Sequence, residues 1–179
     1  SGWAVGKLMG QYVRRSSDRH RQLGVPRSEL MAHFSSSVSI DAPRAVVWEV
    51  IADVRRHSDW MADAAEIRLT SVQATGVGTT FECETRVGPL RTLDRMAVTD
   101  WEDGRLMGVE HRGLVTGVGR FRLEDQSNGG TTFFWDEDLS FPWWLGGRTA
   151  AAVARPLLAL IWQRNLRRLA GMFKDGSAC

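Results

Sequence analysis

Residues 39–60 read SIDAPRAVVWEVIADVRRHSDW, and the order of elements in this stretch sets the start of the fold. Just upstream, Ser35, Ser37 and Ser39 alternate with Ser36, Val38 and Ile40, a period-two signal for a short strand. Asp41 stands where it can cap the helix that follows. Pro43 suits that helix's first turn, where a missing N–H has no partner in any case. Val47, Val50, Ile51 and Val54 recur at helical spacing and give the helix one apolar face. A second turn then closes on Trp60.

Downstream of Ala65 the chain reads as strands and turns. Strands are expected over 66–74, 79–87, 90–101, 105–112, 119–126 and 131–141. Their turns are marked by Gly76-Val77-Gly78, Gly88-Pro89, Glu102-Asp103-Gly104 and Ser127-Asn128-Gly129-Gly130, the last a strong hairpin signal. Turns about every ten residues suit an antiparallel meander rather than parallel βαβ units. The tetrapeptide Thr-Gly-Val-Gly occurs at 75–78 and again at 116–119. Neither copy carries a following Lys-Ser/Thr or opens a helix, so both read as tight turns at sheet corners rather than phosphate loops. Residues 149–173 read as a long final helix, with Val153, Leu157, Leu158, Ile161, Leu166, Leu169 and Met172 on a broad apolar stripe. Arg164, Arg167, Arg168 and Lys174 gather at its end, where positive charge complements the helix dipole. Pro156 lies inside the pattern, so either the regular helix starts near it or a kink divides it.

The opening stretch resembles the START-like, or SRPBCC, superfamily, which includes polyketide cyclases, lipid-transfer domains and birch-pollen-allergen-like proteins. The hairpin residues Gly129-Gly130-Thr131-Thr132-Phe133-Phe134-Trp135-Asp136-Glu137 are similar to the Gly-Gly-Thr-x-x-x-Trp-x-Glu pattern of polyketide-cyclase-type members. Val98-Thr99-Asp100-Trp101 with Gly104-Arg105-Leu106 resembles their long-strand end and turn. The likeness runs from about Phe34 to Phe173. It implies an α+β helix-grip fold: a curved antiparallel sheet wrapped around a long C-terminal helix, with two short helices after the first strand. It also implies a ligand chamber between helix and sheet, of roughly 300–1,000 Å³ for pockets of this kind.

Strand parity suggests the lining. Phe81, Cys83, Thr85 and Val87 share one face, Phe121 and Leu123 another, and Phe133, Trp135, Glu137 and Leu139 a third. Their alternates are charged, the pattern of a sheet wet on one side, with Phe134 the exception among the polar set. Candidate ligand-binding residues are therefore Trp60, Phe81, Cys83, Phe121, Phe133 and Trp135 from the first helices and the sheet. Leu158, Ile161 and Asn165 are added from the final helix, and Asp94 and Glu137 are the acidic members. Trp48 is a further candidate that could instead sit in the outer core. Glu137 is the best candidate for a catalytic role, because a carboxylate on an apolar face needs a partner. The competing reading is a structural carboxylate held by an arginine or by backbone donors. Cys83 reads as a small buried hydrophobe. His20, His33, His57 and His111 lack metal-ligand spacing, and His111, which alternates with Met107 and Val109, reads as packing or surface. No metal site and no cofactor is expected.

Domain organisation is expected as a basic extension over 1–33, one ligand-binding domain over 34–174 and a tail over 175–179. Residues 1–30 carry six basic and two acidic side chains, a net +4, which leaves −2 for the rest. Met31 reads as the native start. The alternative is a basic arm making weak contact with acidic lipid head groups. The chain has 179 residues, 43% apolar and 25% charged, the balance of one globular domain. Its formal charge of +2 is too small to argue for nucleic acid. Eight tryptophans stand against one tyrosine, a choice that supplies large apolar area. Two cysteines imply no disulfide framework, and a reducing, cytoplasmic setting is expected. No run of 18 or more apolar residues points to a membrane span. The functional expectation is a protein that binds, carries or sequesters a hydrophobic lipid, polyketide or aromatic molecule. The alternatives are an aromatase/cyclase-type enzyme and a protein-interaction module using an exposed patch near Trp143 and Trp144. Oligomeric state is open.

Overall fold

The computed structural model describes residues 30–88, 90–141 and 147–174. The expectations for residues 1–29, for Trp143 and Trp144 and for Cys179 fall outside them. Seven strands, β1 (Leu30–Ile40), β2 (Ala64–Leu69), β3 (Thr80–Val87), β4 (Leu90–Glu102), β5 (Leu106–Arg112), β6 (Thr116–Asp125) and β7 (Thr131–Phe141), form one antiparallel sheet. Its order is β1-β7-β6-β5-β4-β3-β2, so every neighbour but β1·β7 is a hairpin partner and the meander is realised. Register shifts at Ala64/Glu66 and Val98/Asp100 mark bulges, which bend a strand and add twist. Between β1 and β2 lie α1 (Arg44–Ala52), a 3₁₀ turn (Val54–Arg56) and α2 (His57–Trp60); α3 (Gly147–Gly171) follows β7. This is the α+β helix-grip arrangement. Among the described residues no helix is long and apolar enough to cross a membrane.

Several local expectations are corrected. β1 reaches further upstream than the alternation over 35–40 suggests, because its ladder with β7 runs from Leu30↔Phe141 through His33↔Asp138, where the two side chains also meet at 2.8 Å. Asp41 does not cap α1. Pro43 itself holds the cap position, with φ −59° and ψ 145°, and its carbonyl accepts from the backbone of Val46 and Val47. β2 ends at Leu69 rather than 74. Beyond it the Ser71 hydroxyl donates to the Gln73 carbonyl and accepts from Thr80 N, and Gln73 donates to the Val77 carbonyl, so side chains close the loop in place of a ladder. Of the two Thr-Gly-Val-Gly copies, only the first is a turn, with Gly76 and Gly78 at positive φ. The second lies inside β6. Phe134, the apolar residue on the wet face, is covered by the Arg122 guanidinium 4.1 Å above its ring.

α3 is helical straight through Pro156. Its C-terminal half seats on the sheet: Trp162, Leu166, Leu169, Ala170 and Phe173 are buried, and Trp162 meets Phe34 edge-on at 4.8 Å. Further back, Leu157 and Leu160 are more than half exposed. Among its described residues the helix therefore packs most tightly through its C-terminal turns.

Beneath α2 lies an aromatic cluster. Trp60 is fully buried, with ring centroids 5.5 Å from His57, 5.7 Å from Trp135, 5.9 Å from Phe121 and 6.0 Å from Phe133. His57 is also buried, and its Nε2 lies 2.8 Å from the Ile51 carbonyl, to which the neutral ring donates. Burial pushes its pKa down to about 4. Unfolded, the ring titrates near 6.5, so between the two values the unfolded chain binds a proton the folded chain refuses. Stability is therefore expected to fall by roughly 3 kcal/mol as pH drops from about 6.5 to about 4. Urea titrations across that range check it; a flat profile would contradict it.

Candidate functional site

A cavity of about 330 Å³ lies between the sheet and the middle of α3. Its sheet wall comes from the inward-facing positions of β3 to β7, among them Phe81, Thr85, Met96, Val109, Phe121 and Trp135. Its helix wall comes from Leu157, Leu158 and Trp162. Leu157 is half exposed, which brings the wall to the surface. Met61, Ala64 and Ile67, together with Leu114 and Val115, complete an apolar lining.

The charged or titratable side chains His57, Asp63, Asp94, His111 and Glu137 interrupt that lining, and the last three interact with one another. Glu137 is 5% exposed; its Oε1 accepts from Trp135 Nε1 at 2.8 Å. Its Oε2 lies 3.4 Å from His111 Nε2, a loose ion pair, and receives no hydrogen bond from the described residues. Burial alone would lower the His111 pKa. Interaction with the Glu137 carboxylate and the charge of Asp94 outweigh it, and the net shift is upward. The stabilisation from this pairing is therefore present below the ordinary imidazole value and is lost as pH rises through the raised one. Asp94, also buried, accepts from Thr92 Oγ1 at 3.2 Å and from the Leu114 backbone at 3.2 Å.

Glycines make room for both carboxylates. Gly119 lies opposite Glu137 in the β6–β7 ladder, and a Cβ there would stand 2.6 Å from Glu137 Oε1. A Cβ on Gly113 would overlap Asp94 Oδ1. A larger residue at either position would displace the carboxylate from its seat. This close approach is why the second Thr-Gly-Val-Gly sits within a strand.

Of the residues singled out from sequence, Phe81, Cys83, Asp94, Phe121, Trp135, Glu137 and Leu158 are on the cavity wall. Trp60, Phe133, Ile161 and Asn165 are not. Trp60 and Phe133 are fully buried in the aromatic cluster behind the wall. Ile161 packs against the core from α3. Asn165 is a strut: its Oδ1 accepts from Ala62 N at 3.0 Å and its Nδ2 donates to Asp63 Oδ1 at 2.6 Å, which pins the link between α2 and β2 to the final helix. Trp48 takes the outer position, donating to Asp103 at 2.9 Å and meeting Trp101 edge-on. Among the described residues Glu137 has no arginine partner; Trp135 and His111 are its neighbours there. Cys83 is buried, and burial pushes its thiol up to about 11, so it is no nucleophile near neutrality.

His111 is the wall residue that sequence reasoning undervalued. Its alternation with Met107 and Val109 already pointed inward; its partner, two strands away in the sheet, was not visible. His57, for which the sequence offers no site role, borders the cavity floor. Among the described residues, no group of three or more His, Cys, Asp or Glu is arranged to hold a metal ion.

Similar architectures occur in known structures. The ZhuI aromatase/cyclase from Streptomyces sp. R1128 is 17% identical, with 81% of this chain and 94% of that one covered and a TM-score of 0.64. Major latex-like protein 151 from Panax ginseng is 9% identical, covering 82% and 99%, with a TM-score of 0.64. TTHA0849 from Thermus thermophilus is 13% identical, covering 82% and 99%, again at 0.64. At these identities the likeness is one of fold. A search among curated proteins gave no match. The family model described as polyketide cyclase / dehydrase and lipid transport matches residues 31–173, most of the chain. The chain therefore belongs to the polyketide cyclase / dehydrase and lipid transport family.

Proposed function

We propose that this domain binds a hydrophobic small molecule, of lipid, polyketide or aromatic type, in the cavity under α3, and carries or sequesters it. The supporting observation is the cavity itself: about 330 Å³ of space with mainly apolar walls, bounded on one side by Leu157, Leu158 and Trp162 of α3. Apolar surface of that kind gains free energy by excluding water in favour of an apolar guest. Naphthalene is the simplest test molecule. Its addition is expected to give saturable quenching or shift of tryptophan emission, because Trp135 and Trp162 form part of the wall. Emission that does not change, or that changes linearly without saturation, would contradict the proposal.

A second reading is an aromatase/cyclase-type reaction on a bound chain. The His111–Glu137 pair favours it, since a histidine and a carboxylate in one wall can exchange a proton with a guest. Uptake without turnover supports the carrier, and turnover of a poly-β-ketone supports the enzyme.

A further inference from the structure

We propose that the polar end of the cavity selects ligands that present a hydroxyl group from an otherwise apolar body, and rejects those that present a carboxylate, with Glu137 Oε2 as the acceptor. This deepens the binding reading above and rests on it.

The argument starts from an incomplete hydrogen-bond inventory. A carboxylate has about four acceptor sites. Glu137 is almost wholly buried, yet one oxygen is spent on a single indole N–H and the other receives no hydrogen bond from the described residues. His111 Nε2, at 3.4 Å, gives charge but no well-aligned bond. A buried acceptor left unmade is costly, and buried polar groups are nearly always satisfied. No side chain among the described residues supplies the donor. Gly119, opposite in the ladder, has no side chain, and its lack of a Cβ is what leaves the carboxylate its place. Glu137 lines the cavity, and although Oε2 is closed off from the space as it stands, a turn of the carboxylate toward the guest would bring it to a donor.

Charge decides what kind of donor-bearing guest fits. Asp63, Asp94 and Glu137 all line the cavity, with His111 the base on which Glu137 and Asp94 act. Asp94 is already engaged by Thr92 and the Leu114 backbone and leaves the Glu137 oxygen as the open position. A ligand carboxylate brought here would meet two like charges in a poorly solvated site, a repulsive element that acts as specificity. A neutral hydroxyl meets none. Lipid alcohols and phenolic rings share this chemistry; fatty acids do not.

Three probes of one shape test this: naphthalene, naphthol and naphthoate, titrated at neutral pH into the wild-type chain and into E137Q. Naphthol is expected to bind about tenfold or more tightly than naphthalene, and naphthoate more weakly than naphthalene. In E137Q the ratio of naphthol to naphthalene affinity is expected to shrink several-fold, with a cooperative thermal melt reporting that the variant is folded. Equal binding of naphthol and naphthalene, tight binding of naphthoate, or an undiminished naphthol advantage in E137Q would overturn the proposal. Should E137Q not fold, the wild-type order of the three probes decides alone. Failure of naphthalene itself to bind sinks the cavity reading beneath it, a result distinct from loss of the hydroxyl preference.

Discussion

Thr85→Trp combined with Val109→Phe is expected to abolish uptake of naphthalene while leaving the fold intact. Both side chains lie on the cavity wall, on β3 and β5; Val109 also packs into the core and Thr85 Oγ1 lies 3.9 Å from Cys83 Sγ, so each borders the space on one side only. Enlarging a residue in a filled core forces strained rotamers and costs about 1–3 kcal/mol. Enlarging it into a void adds dispersion contacts that the wall lacked. The double variant should therefore melt within a few degrees of the wild type, on either side, and its apparent affinity for naphthalene should fall about tenfold or more, about 1.4 kcal/mol or beyond. Fluorescence titration and thermal melting, run on the same samples, check the pair of outcomes. Unchanged affinity would mean that the probe binds elsewhere. A collapsed melting point would mean that the space is not available to a side chain.

Trp60→Ala is expected to be the most destabilising single substitution in the aromatic cluster, at about 3–5 kcal/mol. Trp60 is fully buried and meets four rings at edge-on or steeply inclined angles. Its removal takes away both transfer free energy and ring–ring contacts, and the surrounding strands and helix cannot close over so large a hole. Its indole N–H finds no acceptor among the described residues, so the loss is one of volume and not of hydrogen bonding. Trp60→Phe separates the two: it removes the unsatisfied N–H and keeps a ring, and should cost well under half as much. For a chain of this size each kcal/mol moves the melting midpoint by about 2–4 °C. A drop of roughly 6–20 °C is thus expected for the alanine variant. Equal losses in the two variants would show that the N–H, and not the ring, was the part that mattered.

How much of this was legible in the sequence follows from which interactions are local. Strand parity is a local property, so the inward placing of Phe81, Cys83, Phe121, Trp135 and Glu137 could be read from alternation alone. Asp94 was placed by the same rule. The long helix was legible, but not which part of its broad stripe meets the cavity. Leu158 faces the space, while Ile161 and Asn165, one turn or so further on, are turned to the core and to the α2–β2 link. That distinction depends on how the helix lies across the sheet, which no periodicity records. Trp60 and Phe133 show the same limit: an inward position does not tell a wall from the layer behind it.

The His111–Glu137 pairing was hidden for a different reason. Its members are 26 positions apart and belong to β5 and β7, with β6 between them. What spans the gap is Gly119 on β6, whose missing side chain lets Glu137 lie over the middle strand. A glycine inside an otherwise alternating strand was the available signal, and it reads as a turn because Thr-Gly-Val-Gly does turn at 75–78. The same sequence does two jobs because the second copy is flanked by ladder partners on both sides.

The most direct test of the account is a crystal of this chain soaked with naphthalene. The account predicts density for one ring system in the space bounded by Trp135, Val109 and Leu158, beneath α3. Saturating naphthalene with that space still empty, or filled by collapsed side chains, would contradict it.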